Sequence, residues 1–335
     1  MPNRRTYKIW LLTLVPDGRY GRCVIAALIL GLGLGLFWLA VELAFRNMPA
    51  TSYFDAWPTA LFFVCMIAYI VPVFHFITQR TQQALTALLP YIENVEHPAL
   101  MTSIDRQPLS WTLRVGSVGV LLWLVQSYVL AGSFTEMLDT LTRSFLSFLF
   151  VIGPLLVWVT MTTAMSALFR NALLFRRINE HLDVRIFEPD SYMPIGSMAV
   201  TSTLVVVGAF GLLSIMWLGG PVNWWTTLPA MFFFSPLLFA LLLLPVLPIR
   251  KVLVQQRTEA LEKAQAAIRQ ANSEDTGVAV GALANALSLR REVSRLPTWP
   301  FDVPAITRFV VYAVIVPLTW TGAALIEILV NAIVD

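Results

Sequence analysis

Seven stretches of this sequence are apolar for more than about 20 residues, the length a helix needs to cross a hydrocarbon core. They fall at about 23–45, 57–78, 112–133, 144–168, 195–218, 226–248 and 306–331. One soluble core cannot cover that much apolar helix, so the stretches predict a polytopic helical membrane protein. Composition agrees: 57% of the 335 residues are hydrophobic and 13% are charged, where a soluble domain carries about 25% charge. Disorder, a secreted disulfide scaffold and an ordinary soluble enzyme are excluded on that ground. An outer-membrane barrel is excluded because its strands would alternate apolar and polar residues. The expected fold class is all-α, with seven transmembrane helices and helical extensions outside the membrane.

Charge placement supplies the orientation. With the N-terminus in the cytoplasm, five basic residues precede span one and three separate spans two and three. Four separate spans four and five, and nine separate spans six and seven, with Arg114 and Arg308 counted at the inner ends of their spans. Of the 23 basic residues only Arg46 and Arg143 fall on the other side. This is the positive-inside pattern, and it places Asp335 outside. The outer loops, Arg46–Ala56, Phe134–Arg143 and Gly219–Trp225, are short, so soluble work belongs to the cytoplasmic face.

The expected organisation is an N-terminal segment 1–22, a six-span bundle 23–249, a cytoplasmic helical hairpin 250–305 and a seventh helix 306–335. Short cytoplasmic helices fall within 79–110 and 169–194. The first apolar run, from Ile9 to Val15, is too short for a signal-peptide core. It reads as an interfacial turn anchored by Trp10 and flanked by Arg4, Arg5 and Lys8. Four proline elbows precede outgoing spans: Pro16-Asp17-Gly18, Pro108-Leu109-Ser110, Pro189-Asp190-Ser191 and Pro300-Phe301-Asp302. Proline stops the helix before it, and the Asp or Ser that follows suits a cap on the next. Together with the returning spans they suggest a parallel repeat of three hairpins. Two of the three returning spans continue as amphipathic helices, at Gln79–Leu85 and Gln256–Leu261. In the hairpin, Val254, Leu261, Ala264, Ile268 and Ala271 form one stripe, and Ala282, Ala286, Leu289, Val293 and Leu296 another. These stripes can pack on each other, on the helix after span two, on a second copy, or on a cytoplasmic partner reached through 250–298. Nucleic acid is not an expected partner, because acidic residues balance the basic ones and aromatic platforms are lacking.

Chemistry inside a membrane is sought at polar residues. The span midplanes carry no Asp, Glu, Lys, Arg or His, which argues against proton-coupled transport. Gln126 is the strongest polar group near a midplane. Span four carries Thr160, Thr162, Thr163 and Ser166, whose hydroxyls can line a wet path or bond their own helix. Glu327 and Glu42 fall near the outer boundary, either as interfacial carboxylates or as an acidic vestibule that concentrates cations. Thr319, Thr321 and Asn331 share the last span with Glu327. Gly31 and Gly35 form GxxxG, a helix-contact motif. Cys23 and Cys65 stand in apolar runs and read as free thiols. The segment Arg176–Asp190 reads as a self-neutralising elbow or an anion-binding one. No metal-ligand spacing, cofactor motif or nucleophile–base signature is present, so no catalytic residue, metal or cofactor is expected.

Two segments, Asp183-Val184-Arg185-Ile186-Phe187-Glu188-Pro189 and Leu296-Pro297-Thr298-Trp299-Pro300-Phe301-Asp302, resemble segments of uncharacterised bacterial integral membrane proteins. The resemblance implies a bacterial inner membrane and transfers no activity. In topology the chain is similar to insect odorant and gustatory receptor channels, with seven spans, an inner N-terminus and an outer C-terminus. That similarity implies a pore lined by the last span of an oligomer. The expected function is a homo-oligomeric channel. An accessory scaffold presenting its cytoplasmic helices, and a carrier of a neutral or hydrophobic solute, are the alternatives.

Overall fold

The computed structural model describes residues 6–16, 18, 20–45, 57–92, 97–131, 133–219, 224–273 and 277–301, with the isolated positions 307, 311, 318 and 322. Its helices are α1 (Trp10–Thr13), α2 (Gly21–Phe45), α3 (Trp57–Leu88), α4 (His97–Asp105), α5 (Leu109–Ala131) and α6 (Phe134–Arg143). They continue with α7 (Phe145–Ile178), α8 (Met193–Leu212), α9 (Trp224–Ser273) and α10 (Gly277–Arg295). Six of them, α2, α3, α5, α7, α8 and α9, contain segments long and apolar enough to cross a membrane. The chain is an all-α, multi-pass membrane protein, and these six match the first six expected spans.

Spans α3, α7 and α8 make the interior. α3 packs on α2, α7 and α8, and α7 packs on α5 and α9. α2 and α5 lie outside and turn apolar rows outward: Val24, Leu28, Leu32 and Leu36 on one, Leu113, Val118, Leu121 and Val125 on the other. In a bilayer such rows face lipid chains. α2 is apolar on every face, so hydropathy alone does not say which face meets α3. The expected GxxxG face is not the contact. Nothing lies within 4 Å of a Cβ on Gly31 or Gly35, whereas one on Gly33 would meet Val64 at 2.7 Å. Two residues along a helix is about 200°, so Gly33 points away from its neighbours and into the bundle.

All three returning spans run on past the apolar stretch, not two. α3 extends to Leu88, α7 to Ile178 and α9 to Ser273. Neither Pro nor Gly interrupts Gln79–Leu88 or Phe169–Ile178, and each extension has a buried stripe, Thr81, Leu85 and Leu88 in one, Ala172, Phe175 and Ile178 in the other. Leu85, Leu88, Phe175 and Ile178 join Ile104, Val184, Ile186, Tyr192, Ile195, Ile249 and Leu253 in an apolar core at the basic end of the bundle. α3 and α7 finish alike, each in a 3₁₀ turn (Leu89–Tyr91, Asn179–His181) followed by one extended residue. Those extended residues, Ile92 and Leu182, pair with each other as an antiparallel bridge. The Asp183 amide donates to the Tyr91 carbonyl at 2.9 Å.

α9 and α10 fold as the expected hairpin, with Ala264, Ala271, Ala286 and Val293 buried. Three of the expected stripe residues are exposed instead: Val254 at 40%, Leu289 at 41%, and Ala282. Leu253 is buried in place of Val254, because it stands 11 and 18 residues before Ala264 and Ala271, close to whole numbers of turns. The expected outer loop Phe134–Arg143 is a helix, α6, whose apolar residues recur at helical spacing.

The stretch expected as an interfacial turn at Trp10 forms a short helix, α1, led in by a strand. Thr6–Lys8 forms a strand, β1, paired antiparallel with β2 (Arg106–Pro108), and the Ile9 amide donates to the Asp105 carbonyl at 2.9 Å. This ladder tucks Ile9, Leu11, Leu12 and Val15 inward, where they are buried in a core shared with Val71, Phe74, Ala164 and Ala167. Gly18, with φ +125°, makes the reversal into α2 in a region closed to most other residues.

Candidate functional site

The intramembrane polar residues that sequence singled out are spent on holding helices. Thr160 donates to the carbonyls of Leu156 at 2.7 Å and Val157 at 3.0 Å. Thr162 donates to Trp158 at 2.8 Å, and Thr163 to Val159 at 2.7 Å. Each bond returns to the preceding turn of α7, the usual way a membrane helix satisfies a hydroxyl. Ser166 accepts from Trp111 Nε1 at 3.0 Å, and Gln126 Oε1 accepts from Trp158 Nε1. Trp123 Nε1 donates to the Val151 carbonyl at 2.9 Å. These three tryptophans form a ladder between α5 and α7. Tyr69 reaches across from α3 to the Val205 carbonyl of α8 at 3.0 Å. It can do so because residue 208 is glycine: a Cβ there would lie 2.2 Å from the Tyr69 hydroxyl.

Glu42 is exposed near the end of α2 opposite the helix extensions. Glu327, Thr319, Thr321 and Asn331 lie outside the described residues. The gap between α3, α7 and α8 measures ≈ 30 Å³ and is lined by Tyr69, Val73, Met161, Met165 and other apolar neighbours. That volume is about one water, far below the several hundred Å³ a bound solute needs.

The richest convergence of side chains is instead at the basic end, where the two familiar segments meet. In the first, Arg185 bridges Asp183 at 2.8 Å and Glu188 at 3.2 Å, so this elbow neutralises itself as expected. Those hydrogen bonds, to Asp183 first and Glu188 second, raise the exposed guanidinium above its ordinary value. Ser191 does not cap α8. Its Oγ accepts from the Arg185 amide at 3.1 Å and donates to the Glu188 carbonyl at 2.7 Å, stapling the elbow closed. Residue 192, not 191, precedes α8, and it is a buried tyrosine with no side-chain cap. Gln256 of α9 then grips the elbow backbone from both sides. It accepts from the Ile186 amide at 3.1 Å and donates to the Val184 carbonyl at 2.6 Å.

The second segment docks on the same knot. Arg250 lies over the Trp299 ring at 4.2 Å, and Trp299 stacks on Phe301. Pro300 is buried against Gly196, near the start of α8. Leu296 packs on the core that holds Val184, Ile186 and Tyr192. Segments more than a hundred residues apart are thus clamped between α8 and α9, immediately before the last apolar stretch. Sequence reasoning quoted both segments but had no signal that they touch. Gln256 and Gly196 carry no motif. Asn179 adds a further tie, donating to the Pro245 carbonyl at 2.7 Å.

Arg170 ties the N-terminal ladder to α7. It donates to the Ser103 carbonyl at 2.6 Å and the Arg106 carbonyl at 3.0 Å, at the C-terminal end of α4 where free carbonyls favour a cation. The arrangement can transmit displacement between the extensions and the spans. Among the described residues it offers no nucleophile–base pair. In comparisons with known proteins, no family model matches the chain, and neither a curated protein nor a solved structure is significantly similar to it.

Proposed function

We propose that the chain is a homo-oligomeric, channel-like protein of a bacterial inner membrane, with its N-terminus cytoplasmic and its seventh span lining the path. Glu327 then sets cation preference at the outer mouth, with Glu42 at a similar depth, and Thr319, Thr321 and Asn331 face the path. The observation that supports this reading is the dryness of the described bundle. The Thr160, Thr162 and Thr163 hydroxyls bond their own helix, and the gap between α3, α7 and α8 is ≈ 30 Å³ and apolar. A polar path would therefore be built by the last span between copies. The same observation weighs against a carrier that uses the span-four hydroxyls. The clamp of Trp299 and Pro300 on α8 and α9 gives the cytoplasmic helices a grip on the chain just before that span.

Purified protein in planar bilayers is the test. It should conduct, and Glu327→Gln should lower cation over anion permeability. Bilayers that stay silent across voltage, tension and lipid composition would overturn the reading.

A second reading, a scaffold that carries nothing, draws on the α9–α10 hairpin, which leaves Leu287 and Leu289 exposed beyond the apolar stretch. Deleting the hairpin should then remove a co-purifying partner while the membrane bundle stays folded. A partner retained after deletion would sink this alternative.

A further inference from the structure

The ring of Phe76, at the basic end of α3, lies beneath two guanidinium groups. Arg22 sits 5.3 Å from its centroid and Arg80 5.4 Å. Arg22 is the second residue of α2, and Arg80 follows the apolar stretch of α3 by two residues. Both therefore stand at the edge of the hydrocarbon layer. Among the described residues neither has a carboxylate within salt-bridge distance. Other engaged arginines are held singly: Arg143 and Arg185 pair with acids, Arg170 and Arg257 are taken up by carbonyls, and Arg250 lies alone over Trp299. Two like charges held over one ring repel each other, and an anion between them relieves that repulsion.

The face continues outward from the ring. Phe76, Arg80, Gln83 and Ala87 follow at i, i+4, i+7 and i+11 on α3, and Gln79, Gln82 and Thr86 flank them. Gln79, Gln82, Gln83, Thr86 and Ala87 edge a shallow, wide-open polar face on α3. Arg80 donates to Gln83 at 3.4 Å, which joins the charged pair to this face. The Thr86 hydroxyl donates to the Gln82 carbonyl at 2.8 Å and so can only accept from a ligand, but the glutamine amides both donate and accept, so the face suits a neutral polyol and gives no preference to a quaternary amine.

We propose that this face is a binding site for an anionic phospholipid with a hydroxylated headgroup, of the phosphatidylglycerol type. Its phosphate sits between Arg22 and Arg80, its chains lie along the outward apolar rows of the bundle, and its glycerol headgroup reaches toward Gln79 and Gln83, the polar side chains nearest the arginines on this face. Guanidinium forks match phosphate oxygens, and basic residues at a membrane edge recruit anionic lipid. The site does not depend on whether the protein conducts.

Native mass spectrometry of the full chain in neutral detergent, titrated with dioctanoyl phosphatidylglycerol, dioctanoyl phosphatidylcholine or inorganic phosphate, tests it. Phosphatidylglycerol should bind in preference to phosphatidylcholine. Arg22→Gln with Arg80→Gln should weaken it by roughly tenfold or more, since each basic residue near an anionic surface contributes about a factor of five. Gln79→Leu with Gln83→Leu changes only exposed positions and keeps both charges. It should weaken phosphatidylglycerol several-fold and leave phosphatidylcholine unchanged. Unchanged phosphatidylglycerol affinity in the arginine pair overturns the site; if that pair does not fold, unchanged affinity in the glutamine pair does so. Inorganic phosphate that displaces the lipid at equal concentration reassigns the arginines to a soluble phosphate and overturns the lipid.

Discussion

The carbonyl of Pro300 occupies the space that a side chain on Gly196 would fill: a Cβ built there would lie 1.6 Å from the Pro300 oxygen. Nothing in the local sequence demands glycine at this place. The demand comes from a chain segment a hundred residues later, which crosses the start of α8 in van der Waals contact on its way to the last apolar stretch. If the α9–α10 hairpin moves the last apolar stretch, this crossing is the point through which it does so.

Gly196→Ala should therefore displace the Trp299–Phe301 segment. The expected cost is about 1–3 kcal/mol, typical of an overpacked contact with backbone that cannot rotate away. Thermal unfolding in detergent measures it. Gly31→Ala, where nothing lies within 4 Å, is the control and should match the parent or exceed it slightly, because alanine is the better helix former.

Gln256→Leu should free the elbow from α9. It removes the partners of one amide and one carbonyl that Val184 and Ile186 hold in a buried place. Leaving such groups unpaired costs about 1–3 kcal/mol each. Hydrogen exchange should accelerate at the Ile186 amide, with little change at the Asp183 amide, which bonds Tyr91 instead.

Tyr192 is fully buried, and its hydroxyl finds no partner among the described residues. Tyr192→Phe should be neutral or stabilise by about 1 kcal/mol. Burial also raises the Tyr192 pKa above its ordinary value of 10.0. The unfolded chain then loses this proton at lower pH than the folded one. Stability from this group is whole below pH 10 and declines as pH rises through the folded value. Alkaline unfolding of the parent should show this decline, and the Tyr192→Phe protein should lack that part of it.

Thr160→Val with Thr163→Val should leave stability within about 0.5 kcal/mol, since each hydroxyl bonds only its own helix and valine keeps the shape. Reconstituted transport of any neutral solute should be unaffected. A specific loss of uptake in a folded double variant would restore the carrier reading.

Arg170→Met should detach the N-terminal ladder. Methionine fills similar space but leaves the Ser103 and Arg106 carbonyls without their cation, at about 1.5–3 kcal/mol for charged bonds. Limited proteolysis near Lys8 should speed up, while cleavage in the α9–α10 hairpin should not.

The six described spans were legible in the amino-acid sequence, though not how far α7 runs beyond its apolar stretch. Burial of a whole helix in lipid depends on the sum of its residues' transfer energies, which composition carries without reference to any neighbour. The same holds for the hairpin α9–α10, whose alanines repeat at helical spacing, and for the self-neutralising elbow, whose charges are three residues apart or fewer. What tertiary structure alone decided is which faces meet. In helices apolar on every side, shape chooses the contact, so Gly33 and not Gly31 or Gly35 receives α3. Ser191 staples its own elbow and not the helix after it, because Arg185 and Glu188 are brought to it by the turn. Ile9–Val15 sink into the bundle because a three-residue ladder with Arg106–Pro108 draws them there. Each of these outcomes is a pairwise fit between segments distant in the chain, and such fits leave no mark in local composition or periodicity.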